Sequence, residues 1–336
     1  MRAVKLVAAH ELRVEDLPEP EVVSGEVVLR VDSCGICGSD LSSYKVGLFT
    51  GSVFGHELSG VVDAVGDGVD GWTGGERVVV DPKLPCGVCD DCRDGAAYRC
   101  AMALTAGIGF ARDGGFAERV AVPAHLLHPL PGPVSLRDAC VVEPLSVAIH
   151  GVERAQLRHP GAAVVVGLGP IGLFTVAVLR ARGMTPVIGV DPVADRRRLA
   201  LQLGAANVAA ELHEVRGTVA PAPAVFECSG RPELLHTAAD LVAPGGVLVM
   251  LGVPFGEATV LPLMWVTREI RVTGSIASSA ADFQTSIDML TADPSLAKIV
   301  TRRIGLDDVP EAFEDLIAPS NGGKVVVDPL LASSGA

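Results

Sequence analysis

Basic residues are scarce in this 336-residue chain: 27 Lys and Arg stand against 40 Asp and Glu, a formal charge of −13. That balance argues against a phosphate-backbone partner, which favours a basic face. No block of five or more like charges occurs, and the longest basic run is Arg196-Arg197-Arg198. That run reads as well as a solvated helix face as it does as a phosphate site. A long unbroken apolar run is missing too. Ala162 to Leu179 carries no charge for 18 residues, but Gly167, Gly169, Pro170 and Gly172 interrupt it and would break a spanning helix. The N-terminus, Met1-Arg2-Ala3-Val4-Lys5, has neither the apolar core nor the small-residue cleavage site of a secretory leader, so a cytoplasmic protein is expected. Internal repeats and low-complexity tracts are absent from the sequence.

What is present is a globular composition, 49% apolar and 20% charged, at a length that allows two domains. The first 130 residues are dense in glycine and in short β-branched runs, at 26–32, 60–65, 77–80 and 116–122, punctuated by Asp67-Gly68-Val69-Asp70-Gly71 and Thr73-Gly74-Gly75. This pattern predicts a compact, mostly antiparallel β domain. From about Ala162 apolar strands at 163–166, 186–190, 224–227 and 247–251 alternate with helical stretches such as 196–203 and 232–241. Such alternation predicts βαβ units on a parallel sheet. Further on, 282–290 has the pattern of an amphipathic helix, and Lys324–Val327 reads as a closing strand after the turn Asn321-Gly322-Gly323.

Eight cysteines occur, and without a secretory leader metal ligation is the stronger expectation over a disulfide framework. Cys86, Cys89 and Cys92 are spaced by two residues each, and Cys100 follows after seven more. Tight turns present such thiolates to one ion, and four of them close a tetrahedron, which makes the expected zinc structural. A nucleic-acid-binding zinc ribbon is the rival use of four cysteines, but Asp90, Asp91 and Asp94 surround them.

A second motif, Gly167-Leu168-Gly169-Pro170-Ile171-Gly172, follows the strand 163–166 and opens an apolar helical run. A further strand ends at Asp191, 19 positions after Gly172, where a ribose-binding carboxylate belongs. The glycines let backbone approach a pyrophosphate seated on the positive helix end. Asp191 would repel a ribose phosphate and so favours NAD over NADP. Arg196, which opens the basic run, is the feature that could reverse that preference.

Two shorter stretches, Cys34-Gly35-Ile36-Cys37-Gly38-Ser39-Asp40 and Gly55-His56-Glu57, complete the pattern. Together with the cysteine lobe and the glycine motif, in this order, they resemble the zinc-containing medium-chain dehydrogenase/reductase superfamily over nearly the whole chain. The resemblance implies that Cys37 and His56 bind a catalytic zinc. Glu57 and Glu143 are its carboxylate candidates, and either one could be the direct ligand with the other acting through water. Glu143-Pro144-Leu145 stands where the alcohol dehydrogenases carry a cysteine, as in the polyol and sorbitol dehydrogenase branch. Ser39 matches the hydroxyl that relays the alcohol proton, and Asp40 the carboxylate that orients the histidine ligand. Cys34 and Cys140 read as core thiols. Many relatives carry a histidine shortly after the catalytic cysteine. Here Leu41-Ser42-Ser43-Tyr44 occupies that place, which leaves Ser42, Tyr44 or water for the outer relay. The stretch from Cys37 to Lys45 also looks like the aminocyclitol (2-deoxy-scyllo-inosamine) dehydrogenases.

The expected architecture is therefore α/β: a GroES-like β domain over 1–146 and 280–336, with its zinc lobe at about 86–100, and a doubly wound Rossmann domain over 147–279. The active site is expected in the cleft between them. The expected activity is hydride transfer between NAD and a secondary alcohol on a polyol, cyclitol or amino-alcohol, with two zinc ions per chain. A homodimer or homotetramer is expected, with no nucleic-acid or membrane partner. A threonine-type amino-acid dehydrogenase and a simple alcohol dehydrogenase are the enzyme alternatives. A zinc-ribbon ligand sensor that keeps a cofactor fold is the alternative from another class.

Overall fold

The computed structural model describes residues 1–217, 219, 221–317 and 322–332. It separates into two compact units, one formed by Met1–Glu143, Ile287–Ser320 and Lys324–Ala336, the other by Pro144–Ser286 and Asn321–Gly323. The unit boundaries at 143/144 and 286/287 fall inside the helices Val142–Arg154 and Ala280–Ala292.

The first unit is built on a sheet in which the strands Val300–Ile304, Lys324–Val327, Glu26–Gly35, Glu57–Val65, Arg77–Val80 and Leu127–Pro129 lie side by side, with Arg119–Pro123 also pairing to Glu26–Gly35. Every pairing is antiparallel except that of Val300–Ile304 with Lys324–Val327. β-branched residues dominate these strands and suit a pleated, half-buried surface. Their inner faces meet around Phe54, Phe116 and Phe313, and each such fully buried side chain contributes roughly 1.5–3 kcal/mol. A separate hairpin, Arg2–Ala8 with Glu11–Asp16, adds Val4 and Leu6 to the same core.

The second unit is a six-stranded sheet, parallel throughout, in the order Asn207–Ala209, Val187–Val190, Ala163–Val166, Ala222–Glu227, Val242–Met250, Arg271–Gly274. The central strands are buried along their whole length, and their sequences are correspondingly continuous apolar runs rather than alternating ones. The uncharged run from Ala162 resolves into the strand Ala163–Val166, a glycine turn and the helix Pro170–Ala181. Among the described residues no helix is long and apolar enough to cross a membrane.

Strand order reverses direction between Ala163–Val166 and its neighbour Ala222–Glu227. In open parallel sheets, the crevice beyond the carboxyl ends of the strands at such a reversal is where ligands bind. The expected strands at 77–80, 163–166 and 324–327 have those limits in the structure. The stretch 232–241 is shorter as helix than its pattern implies, a 3-10 turn at Pro232–Leu234 followed by Leu235–Asp240. Of the expected turn before the last strand, Asn321 lies outside the described residues.

Candidate active site

Cys37, His56 and Glu57 each offer a donor atom, and those atoms lie within 4.8 Å of one another. Cys37 caps the helix Gly38–Val46, while Glu57 opens the strand Glu57–Val65 with His56 immediately before it. Tight packing brings them together. Gly55 sits at φ +100°, and a Cβ there would lie 2.7 Å from Cys34 Sγ and from the Phe116 ring. Cys34 is completely buried in this contact, so it is a packing thiol rather than a donor to the group. Phe110 stacks on the His56 ring, 4.8 Å between centroids.

Asp40 links two members of the group. Its Oδ2 accepts from the Cys37 backbone N–H at 2.8 Å, and its Oδ1 lies 3.2 Å from His56 Nδ1. This ion-pair contact holds the Nδ1 side of the ring toward Asp40. Burial works against charge on His56, but the negative charges of Asp40 and Cys37 outweigh it and hold its pKa well above the ordinary histidine value. A thiol, an imidazole and a carboxylate, two of them fully interior, form a donor set that fits zinc with a fourth position open.

The Glu57 carboxylate lies over Gly35, where a Cβ would fall 1.9 Å from its Oε2, and it is paired with the ammonium of Lys324. Burial opposes charge on Lys324, yet Glu57 and Cys37 raise its pKa above the usual lysine range. Glu143 is not within the three-donor group, but its charge is felt there. Burial pushes its carboxyl up to about 7, with His56, Lys83 and Lys324 pulling down and Glu57 adding to the rise. Lys83 is itself buried and donates to Asp81 Oδ1 at 2.5 Å.

Of the relay candidates, Ser39 is exposed in the first turn of its helix, and Ser42 donates to the Gly38 carbonyl at 3.0 Å. Tyr44 does not belong to a relay. It is buried against His10 and Phe313 and its hydroxyl bonds to Glu314. Cys140 is buried, with burial pushing its thiol up to about 12.

Cys86, Cys89, Cys92 and Cys100 form the second donor group, again with all four sulfurs within 4.8 Å. Short turns of helix at Asp90–Arg93 and Ala97–Arg99 fold the chain back on itself here. Cys89 and Cys92 Sγ are 3.5 Å apart, and the backbone N–H groups of Val88 and Cys89 pull the Cys86 thiol down to about 6. Thiols clustered so closely and approached by backbone donors are preset for a cation. All eight cysteines are free.

In the second unit, Gly167 adopts φ +86°, and a Cβ on Gly172 would lie 1.9 Å from the Gly167 carbonyl oxygen. Only glycine fits either place. Gly169 caps the helix Pro170–Ala181, with Pro170 and Ile171 in its first turn, so that its free N–H groups open at the strand ends. Asp191 is 3% exposed and accepts from Leu168 N and Val193 N, both at 2.8 Å, with Arg196 Nη1 3.4 Å from its Oδ2. Arg197 donates to the carbonyls of Asp191 and Pro192, and Arg198 pairs with Asp195. The three arginines therefore do different jobs.

Sequence reasoning missed Lys324 and Phe110 beside the first donor group, Lys83 with its charge on Glu143, and Glu227 beside the glycine turn. A lysine or glutamate standing at the end of an apolar strand, as in Lys324-Val325-Val326-Val327 or Ala224-Val225-Phe226-Glu227, was the available signal.

Residues 23–132 match the alcohol dehydrogenase GroES-like domain, and residues 137–327 match the glucose dehydrogenase C-terminus. D-xylulose reductase A of Aspergillus oryzae is 30% identical over 333 residues, covering 93% of this chain and 92% of that protein. The crystal structure of 2R,3R-butanediol dehydrogenase from Bacillus subtilis has a TM-score of 0.88 at 30% identity, covering 98% of this chain and 99% of the other. A zinc-binding dehydrogenase of Sinorhizobium meliloti 1021, solved with NADP bound, has a TM-score of 0.89 at 30% identity, with 98% and 99% covered.

Proposed function

Because the chain belongs to the zinc-containing medium-chain dehydrogenase/reductase family, we propose that it moves a hydride between NAD and a secondary alcohol on a polyol, cyclitol or amino-alcohol. The observation that carries this reading is the Cys37, His56 and Glu57 group, whose donor atoms lie within 4.8 Å of one another and whose imidazole and carboxylate are buried. Cys37, His56 and Glu57 hold the catalytic zinc, and Cys86, Cys89, Cys92 and Cys100 hold a second, structural one. Zinc supplies a Lewis acid that lowers the alcohol pKa, and the nicotinamide supplies the hydride acceptor.

The chain's own residues do the rest. Asp40 fixes the His56 ring and its tautomer. Ser39 takes the hydroxyl proton and, being exposed, passes it to water. Glu143 accepts a hydrogen bond from a hydroxyl or amine on the carbon next to the reacting one. Beyond its two backbone contacts and Arg196, the Asp191 carboxylate keeps acceptor capacity, and this receives the adenosine ribose hydroxyls. The relatives named above fit a neighbouring oxygen, since 2R,3R-butanediol is a vicinal diol and xylulose a polyhydroxy ketone.

None of the eight cysteines is in a disulfide, which supports a cytoplasmic setting. The chain is also taken to form a homodimer or homotetramer, whose interface would cover exposed apolar side chains such as Phe255, Leu263 and Val266.

The test is NADH formation from matched alcohols, a vicinal diol or amino-alcohol against its mono-alcohol. The polyol should turn over with roughly tenfold to hundredfold higher kcat/KM, since a hydrogen bond to a charged group contributes about 1.5–3 kcal/mol. Glu143→Gln should shrink that ratio, and chelators should abolish turnover. Equal efficiency with simple primary alcohols would leave an ordinary alcohol dehydrogenase. No chelator-sensitive turnover with any alcohol would favour the ligand sensor.

A further inference from the structure

We propose that Glu227 is a positioning residue for the dinucleotide, a buried carboxylate that pre-forms the wall of the crevice in which the cofactor lies; this rests on the NAD-dependent reading above. Glu227 ends the strand Ala222–Glu227 and is 2% exposed. It stands at the reversal of strand order, level with Val166 on one side and Met250 on the other. The turns that leave these three strands therefore emerge together, at the place where a parallel sheet binds its ligand.

The carboxylate ties those turns to one another. Its Oε1 accepts from the Ser229 backbone N–H at 2.7 Å and from the Ser229 hydroxyl, and its Oε2 accepts from Gly230 N at 3.3 Å. Ser229 in turn lies directly under the glycine turn, since a Cβ on Gly167 would be 2.7 Å from Ser229 N. On the far side, a Cβ on Gly252 would fall 2.1 Å from Gly230 N and 2.8 Å from Glu227 Oε2. The backbone N–H groups of Leu251 and Gly252 also donate to the Glu227 carbonyl, at 2.8 and 2.9 Å.

The glycine turn is thus held from two sides by two carboxylates. Asp191 holds Leu168 N from one strand, and Glu227 holds Ser229 beneath Gly167 from the other. An interior carboxylate satisfied by three donors makes the turn that it fixes rigid. A turn ordered before binding spares the cofactor the cost of ordering it. A glutamine keeps the shape of Glu227 but presents an amide N–H₂ to donors at one of its two acceptor positions, so part of this brace is lost.

The experiment compares the unmutated protein, Glu227→Gln and Ser229→Ala by NADH fluorescence titration, by steady-state kinetics, and by hydrogen exchange without nucleotide. Glu227→Gln should weaken NADH binding and raise the KM for NAD about tenfold, with kcat and the alcohol KM within about twofold. The Ser229 and Gly230 amides should exchange faster before any cofactor is added. Ser229→Ala, which removes the hydroxyl bond to Glu227 and the acceptor that Ser229 Oγ offers to Arg231 N at 3.2 Å, should show the same changes to a smaller degree and provides the test if Glu227→Gln does not fold. Unchanged NADH affinity and exchange in the folded variants would overturn the role of Glu227 while leaving the dehydrogenase reading intact. An unmutated protein that binds no NADH would overturn both.

Discussion

Lys324 and Glu57 are separated by 267 positions, yet their side chains form an ion pair that is almost wholly shielded from water. The pair fixes the carboxylate next to His56 from the opposite end of the chain. Breaking it by removing one partner strands a charge in the interior, at a cost of about 3–5 kcal/mol. With the Cys37 site free of zinc, Lys324→Met should therefore lower the denaturation midpoint strongly, and adding Glu57→Gln should recover a large part of the loss. A single variant as stable as the unmutated protein would mean that water or another cation compensates Glu57.

The two donor groups should behave differently. Elemental analysis should find two zinc ions per chain. Cys92→Ser should lower the melting temperature and cut the metal content to one, because binding at a closed thiolate site is itself folding free energy. Cys37→Ser should also lose one ion but keep the melting curve and lose turnover. The roles are reversed if Cys37→Ser unfolds and Cys92→Ser is silent.

Cofactor choice should follow Asp191. A buried carboxylate facing the ribose disfavours the extra phosphate of NADP by roughly 1–3 kcal/mol, about tenfold to a hundredfold in kcat/KM. Asp191→Ala should narrow that gap. Because Asp191 also holds Leu168 N, the variant should lose affinity for NAD itself. NADP used as well as NAD by the unmutated enzyme would place the phosphate on Arg196.

Acid should weaken the second unit through Asp282. Its Oδ2 lies 2.8 Å from His150 Nδ1 and accepts from Ser279 N at 2.9 Å and Oγ at 2.6 Å. Burial favours the neutral acid, but the His150 and Ser279 contacts outweigh it and hold the folded pKa below the ordinary 3.8. A depressed carboxylate contributes stability that is complete above its unfolded pKa and is lost as pH falls through the folded value. Asp282→Asn should cost about 1.5–3 kcal/mol near neutrality, and the difference should shrink on acidification. Urea unfolding across that range checks it, and a gap that stays constant down to about pH 3 would rule the linkage out.

Local chemistry made much of the protein legible from its sequence. The spacing of Cys86, Cys89, Cys92 and Cys100 and the turn from Gly167 to Gly172 are confined to short segments, whose geometry follows from steric limits on neighbouring residues. Alternating strands and helices imply a parallel sheet, because only crossover connections join parallel strands. The family resemblance rested on the same short motifs. Other contacts could not be read in this way. Tyr44 offers a hydroxyl in sequence, but its ring packs on Phe313 and its hydroxyl on Glu314, 270 positions away. Lys324 faces Glu57 because the strand Lys324–Val327 pairs with Glu26–Gly35, which also pairs with Glu57–Val65. Glu227 meets Gly252, and Ser229 lies under Gly167, because strand register levels turns that lie far apart in the chain. The sequence by itself determined which donors, turns and strands exist, since those depend on residue type and short spacing. Only the tertiary structure decided which buried charges face one another, because a charge buried by distant strands must find its partner across the fold rather than along the chain.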